Sequence, residues 1–226
     1  MSLKPTKKTD LNKDWYKSRD DRPFKRDLQP EYHLIVTEGT KTEPKYFESL
    51  RDKIKEKYDD RISVQVDGLG DNTVNLFYRA QKIADESPNV FKHVWIVYDI
   101  DDFPPENINL AAELCATHSS EQTEYHATWS NQCIELWFLL HFSYFHSDIH
   151  RDEYYPKLTQ QLKRKRKGEY KKNRGDMFDI LNPYIDTAIA NAKKLAEDNE
   201  GKTPAQSAPG TEVYRIIEKL KPYLNS

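Results

Sequence analysis

The sequence predicts an α/β fold: a largely parallel sheet flanked by helices, with C-terminal helical additions. Apolar runs of strand length alternate with helical periodicity as far as about residue 145. Two of those runs end in acids, at Glu38 and at Asp99-Ile100-Asp101-Asp102, where parallel strands present ligand groups. Beyond residue 145 the apolar spacing is helical only.

Each element has its own signal. Residues 1–30 hold nine Lys or Arg against five Asp and few aliphatics, which predicts a flexible basic arm. "EYHLIVTE" reads as a buried strand, and Gly39 permits a tight turn after it. Thr42 is placed to cap the next helix and Pro44 suits its first turn. In "EPKYFESLRDKIKEKY" Tyr46, Phe47, Leu50 and Ile54 recur at helical spacing. "ISVQVDGLG" alternates like a half-buried strand, and Asn72 or Thr73 would cap the helix "VNLFYRAQKIADES". "HVWIVYDIDD" is a strand, "NINLAAELCATH" a helix and "EYHATWS" a strand. "QCIELWFLLHF" is apolar nearly all round, so it should be a buried helix. After residue 150 come a helix ending in cations, a helical stretch broken at Pro183, the loop "GKTPAQSAPG" and a final amphipathic helix. The expected division is a basic arm over 1–30, an α/β core over 31–145 and a helical extension over 146–226 packed on that core.

Composition narrows the classes of function. Of 226 residues, 32% are charged and mean hydropathy is -0.92, yet 37% are hydrophobic, enough for a core. The net charge of -2 gives no global attraction to nucleic acid, so charge distribution matters more. Cys115 and Cys133 form neither a disulfide framework nor a zinc spacing. No apolar run spans a membrane and the N-terminus has no signal-peptide pattern. A reducing, cytoplasmic setting is the expectation.

Asp99 and Asp101 are two apart, so on a strand both carboxylates point to one face. If Glu38 lies on a neighbouring parallel strand, three carboxylates meet at one sheet end. Such crowding is costly unless a hard cation neutralises it. Magnesium suits a few carboxylates, several waters and substrate phosphates. The chemistry this points to is metal-assisted phosphoryl transfer. A lone Asp-x-Asp is more often a solvated turn; the pairing with Glu38-Gly39 tips the balance toward a metal site.

The Glu-Gly turn after one strand and Asp-x-Asp after a later one resemble a Toprim domain. More closely, the chain resembles the RloB-like family of Toprim-related proteins from prokaryotic defence or restriction loci. The matching segments are "EGTKTEPKYF", "YDIDDF" and "SNQCIELWFLLHF", with a looser match at Tyr170 and Lys172. Gln132 and Ile134 stand where that family usually has Pro-x-Phe. The resemblance covers roughly residues 30 to 220 and implies a Toprim-like sheet. It implies Glu38 as the proton-transfer residue or a metal ligand, and Asp99 and Asp101 as ligands to Mg2+, with Mn2+ as a substitute. The implied activity is a magnesium-dependent nuclease acting in anti-phage defence, on DNA, with an ATPase partner protein. No P-loop occurs in this chain, and no small-molecule cofactor is expected. RNA, especially tRNA, is the alternative substrate. A non-catalytic nucleic-acid-binding or regulatory subunit is the non-enzymatic alternative. A primase or topoisomerase fragment lacks support: zinc-binding cysteines and a nucleophilic-tyrosine module are both missing.

Three further features need weighing. Glu135 sits in an apolar helix, where a carboxylate needs a partner; an added metal ligand and a structural ion pair are equally good readings. His141 reads as a core residue. Glu43 reads mainly as an exposed helix-terminus charge, with a supporting place beside the ligands as the competing reading. The run Lys163 to Arg174 holds eight cations and one acid. Lys163, Arg164, Lys165, Arg166, Lys167, Lys171, Lys172 and Arg174 are candidates to contact phosphates, and Tyr170 to stack on a base. A charge run of this kind is otherwise a solvated face.

Overall fold

Leu34, Ile35 and Val36 are fully buried because their strand, β1 (Glu31–Thr37), runs through the middle of a sheet covered on both faces. The computed structural model describes residues 30–59, 61–100 and 104–224. All of the expected basic arm except Pro30 therefore lies outside the described residues, as do Asp101 and Asp102. After β1 come α1 (Thr42–Tyr58), β2 (Ile62–Gly68), α2 (Thr73–Glu86), β3 (Phe91–Ile100), α3 (Pro105–His118) and β4 (Glu124–Asn131). Then follow α4 (Glu135–Leu140), α5 (Tyr154–Arg164), α6 (Met177–Leu181), α7 (Ile185–Asp198), β5 (Gly210–Thr211) and α8 (Val213–Leu220).

The sheet order is β2-β1-β3-β4-β5, with β1 to β4 parallel and β5 antiparallel to β4. This is the expected α/β architecture, consistent with a Toprim-like fold. From β1 the chain steps outward to β2, then crosses back to β3 on the other side. The order therefore reverses between β1 and β3. At such a switch point the helices leaving neighbouring strands go to opposite faces and open a crevice at the strands' C-terminal ends. Side-chain alternation sorts the core accordingly. Ile35, Trp95 and Val97 join a cluster with α1, α4 and the later helices, while Leu34, Val36, Val94, Ile96 and Tyr98 pack against α2 and α3.

Most local expectations hold. Asn72 caps α2, its Oδ1 accepting the Asn75 N–H at 3.1 Å. Pro183 separates α6 from α7. Thr42 is instead the first helical residue of α1, and its hydroxyl donates to Asn173 Oδ1 at 3.4 Å. The apolar run at 132–142 is helical only over Glu135–Leu140, where every residue is buried. One element corrects the expectation of helices only beyond residue 145. Gly210 and Thr211 form β5, and Thr211 Oγ1 lies 2.8 Å from Ser130 Oγ on β4. The large cluster runs from Ile35 to Leu220, so the C-terminal helices share the core of the sheet. Among the described residues no helix is long and apolar enough to cross a membrane.

Candidate active site

Parallel pairing carries Glu38 and Asp99 to the same place. The Glu38 N–H donates to Val97 O at 2.9 Å, extending the β1–β3 ladder by one rung. Its side chain then crosses toward β3, where Oε2 accepts the Asp99 N–H at 3.3 Å. Asp99 lies on the face that α1 and α4 cover. Its Oδ1 accepts the Ile134 N–H at 3.2 Å, and its Oδ2 lies 3.8 Å from Arg151 Nη2. Arg151 is itself held by a 2.7 Å bond from its N–H to Gln132 Oε1.

Two more carboxylates approach from helices. Glu43, in the first turn of α1, is buried. A Cβ on Gly39 would fall 1.9 Å from Glu43 Oε2, so glycine is needed here for close approach of the carboxylate. Gly68 does the same for the next residue, since a Cβ there would meet Pro44 Cγ at 2.6 Å. Glu135 opens α4, is buried, and accepts the Tyr170 hydroxyl at 2.7 Å. A 2.9 Å bond from Trp137 Nε1–H to Tyr46 Oη ties α4 to α1 and fixes the spacing of the two acids.

The electrostatics follow from this crowding. Burial, then Glu43, Glu135 and Glu38, hold the Asp99 carboxyl well above the usual carboxylate range, with Arg151 opposing. Burial also raises Glu43, reinforced by Glu135 and opposed by Lys172 and Arg151. Lys172 is raised: burial would lower it, but Tyr155 and Glu135 outweigh that. Glu38, Glu43 and Asp99 line one cavity with Arg151, Lys172 and Asn173. The donors are all oxygen, the kind a hard divalent cation takes, although among the described residues no three of these carboxylates bring ligand atoms within 4.8 Å of one another.

Of the residues expected from sequence, Glu38, Asp99 and Glu135 are brought together, while Asp101 lies outside the described residues. Glu43 corrects the expectation of an exposed helix-terminus charge, because the turn folds its carboxylate under Gly39 and into the acidic cluster. His141 is a core residue, buried with its Nδ1 2.9 Å from Trp137 O. The basic run spans the end of α5 and the turns that follow it. Lys163, Arg164, Lys165, Arg166, Lys167 and Lys171 are exposed, and Lys172 reaches the cavity. Lys163 pairs with Glu169 at 2.7 Å, Lys165 sits over the Tyr184 ring at 4.6 Å, and Arg174 pairs with Asp176. Tyr170 corrects the expectation of a base-stacking ring. It is buried against Phe138 and Tyr155, with its hydroxyl on Glu135. Arg151 carries no local signal, since its role depends on a loop returning to β3.

A family model described as RloB-like protein matches residues 33–220. No curated protein and no solved structure matches the chain.

Proposed function

Because the chain belongs to the RloB-like family, we propose that it is a magnesium-dependent nuclease of Toprim type that cleaves phosphodiester bonds, with DNA as its substrate. The observation that carries this reading is the meeting of Glu38 and Asp99 at the β1/β3 switch point, joined there by Glu43 and Glu135. Asp99, with Asp101, would hold Mg2+, which when bound supplies charge neutralisation and Lewis acidity at a phosphoryl group. Glu38 is held by the Asp99 N–H beside the cavity and serves to give or take a proton at the reacting oxygen. Arg151 and Lys172 neutralise the phosphate that enters. Glu43 and Glu135 hold the negative field of the site, and Tyr170 fixes Glu135. The exposed cations after α5 grip the flanking backbone by charge, without reading sequence. In this reading the protein is a defence effector that works with an ATPase partner.

The test is incubation of the purified chain with plasmid, single-stranded DNA and tRNA, with and without Mg2+ or Mn2+. Metal-dependent cutting of DNA that Asp99→Asn abolishes is the expected result. Cutting of tRNA alone moves the substrate to RNA. Binding with no metal-dependent cutting of any substrate overturns the nuclease reading in favour of a regulatory subunit.

A further inference from the structure

The opposite edge of the sheet carries a second constellation. Three strands each carry a histidine as their third residue: His33 in "YHLIV", His93 in "KHVWI" and His126 in "YHATW". Parallel register places His33 beside His93, and His126 two residues along from the partner of His93. His93 precedes Asp99 by six residues on β3, about 20 Å at roughly 3.3 Å per residue, so this cluster is separate from the acidic cavity. Burial pushes His33, His93 and His126 down to about 4, which leaves all three neutral near pH 7.

The hydrogen bonds decide which imidazoles are available. His33 Nδ1 accepts the Trp95 indole N–H at 3.2 Å, so its proton is on Nε2, which donates to Glu31 Oε1 at 2.9 Å. Both of its nitrogens are committed. His93 and His126 differ. His93 Nδ1 and His126 Nε2 are committed only to each other, by a 3.0 Å hydrogen bond that an ion between them would replace, and Glu124 Oε2 lies 3.5 Å from the first and 3.8 Å from the second. Metal bonds of 2.0–2.1 Å in a tetrahedral shell set donor atoms about 3.3–3.4 Å apart, so these three separations bracket one face of such a shell. Lys92 takes the other Glu124 oxygen at 2.9 Å, leaving Oε2 toward the imidazoles.

A second, independent observation is the far side of His93. The residue is 4% exposed, and its Nε2 has no hydrogen-bond partner. The nearest carboxylate oxygen, Glu31 Oε1, is 3.7 Å away. An ion on Nδ1 places the proton on Nε2, facing Glu31, which is the carboxylate–histidine–metal arrangement that orients ligating imidazoles. Trp95 stacks on His126 with centroids 4.0 Å apart and fixes its plane. The nearby cations are largely paired, Lys219 with Glu31 at 3.3 Å and Arg215 with Glu212 at 3.4 Å.

We propose that His93 Nδ1, His126 Nε2 and Glu124 Oε2 bind one divalent transition ion of the zinc class at the N-terminal edge of the sheet. Imidazole nitrogens favour such an ion over magnesium. The fourth position opens onto the groove lined by Tyr214, Arg215 and Glu218. The bound ion ties β3 to β4.

The test uses the full chain carrying Asp99→Asn, so that ion counts are not set by the acidic cavity. After stripping with chelator it is titrated with Zn2+ and, separately, with Co2+. The expected result is one ion per chain, with tetrahedral visible absorption and partial quenching of tryptophan emission when the ion is Co2+. Glu124→Gln and His126→Gln should each weaken binding by more than about 100-fold, and Glu31→Gln, acting through His93, by about 10–100-fold. Metal-free melting curves confirm that each variant folds. No binding at micromolar Zn2+, or binding that survives both Glu124→Gln and His126→Gln, overturns the proposal.

Discussion

Replacing Gly39 with alanine would place a methyl carbon 1.9 Å from Glu43 Oε2, 2.5 Å from its Cδ and 2.8 Å from its Oε1. All three atoms belong to one carboxylate at the end of a flexible side chain, so the turn itself need not move. Moving from 1.9 Å to even an ordinary 3.4 Å contact displaces that carboxylate by at least about 1.5 Å. Overpacking costs about 1–3 kcal/mol; the cavity gives the carboxylate somewhere to go, so the lower end applies. The lost freedom of the unfolded chain returns about 0.4–1 kcal/mol. The net effect is at most about 1 kcal/mol, or roughly 2–4 °C in melting temperature for a chain of this size. Function should respond far more, because a misplacement of about 1 Å at a working site costs around 100-fold. Gly39→Ala is therefore predicted to melt within about 4 °C of the parent while losing about 100-fold in metal-dependent cleavage. Thermal melts and initial cleavage rates on the same preparation make the comparison, with Gly39→Ala/Glu43→Ala as the strain-relieved control. Parental cleavage by Gly39→Ala would refute the place given to Glu43 in the site. A melting temperature that stays depressed in the double variant would refute the source of the strain.

Other expectations follow from the same geometry. Asp99→Asn should abolish cleavage. Because burial and neighbouring acids raise Asp99, the folded state binds its proton more tightly than the unfolded chain does. Its stabilising contribution is full below the unfolded carboxylate value of about 3.9 and is lost as pH rises through the raised one. In chelator, the advantage of Asp99→Asn over the parent in urea should grow from pH 4 toward neutrality, and a constant difference would contradict this. Neutralising Lys163, Arg164, Lys165 and Arg166 together should lower the slope of log affinity against log salt by about 0.7–0.9 for each phosphate that is no longer neutralised. An unchanged slope marks the run as a solvated face. His141, buried and pushed down to about 3, should show no NMR titration near 6.5. Since its folded value is depressed, its contribution to stability is present above about 6.5 and lost as pH falls toward 3. An inflection near 6.5 would place His141 outside the core.

The sheet and its acidic end were readable from sequence because each rests on local chemistry. β1 and β3 are unbroken apolar runs, and Glu38 and Asp99 stand at their ends by position alone. What escaped depends on the meeting of distant segments. Glu43 looks like a helix-terminus charge until Gly39 is seen to admit its carboxylate. Tyr170 looks solvent-facing among lysines until the loop folds it onto Glu135, 35 residues earlier. Arg151 and β5 have no periodicity to reveal them, since one is a single cation and the other two residues long. The histidines near the strand starts did leave a signal, a His recurring near the start of three strands. Its meaning appears only once the parallel register aligns the strands.

Anomalous scattering from a crystal soaked in Mn2+ reads the acidic cavity directly, independent of substrate. The expected result is a peak bonded to Asp99, with Glu38 attached directly or through one water, at the β1/β3 switch point. An empty acidic cavity beside Mn2+ bound elsewhere on the chain would contradict the assignment of Glu38 and Asp99 as the metal-dependent catalytic pair.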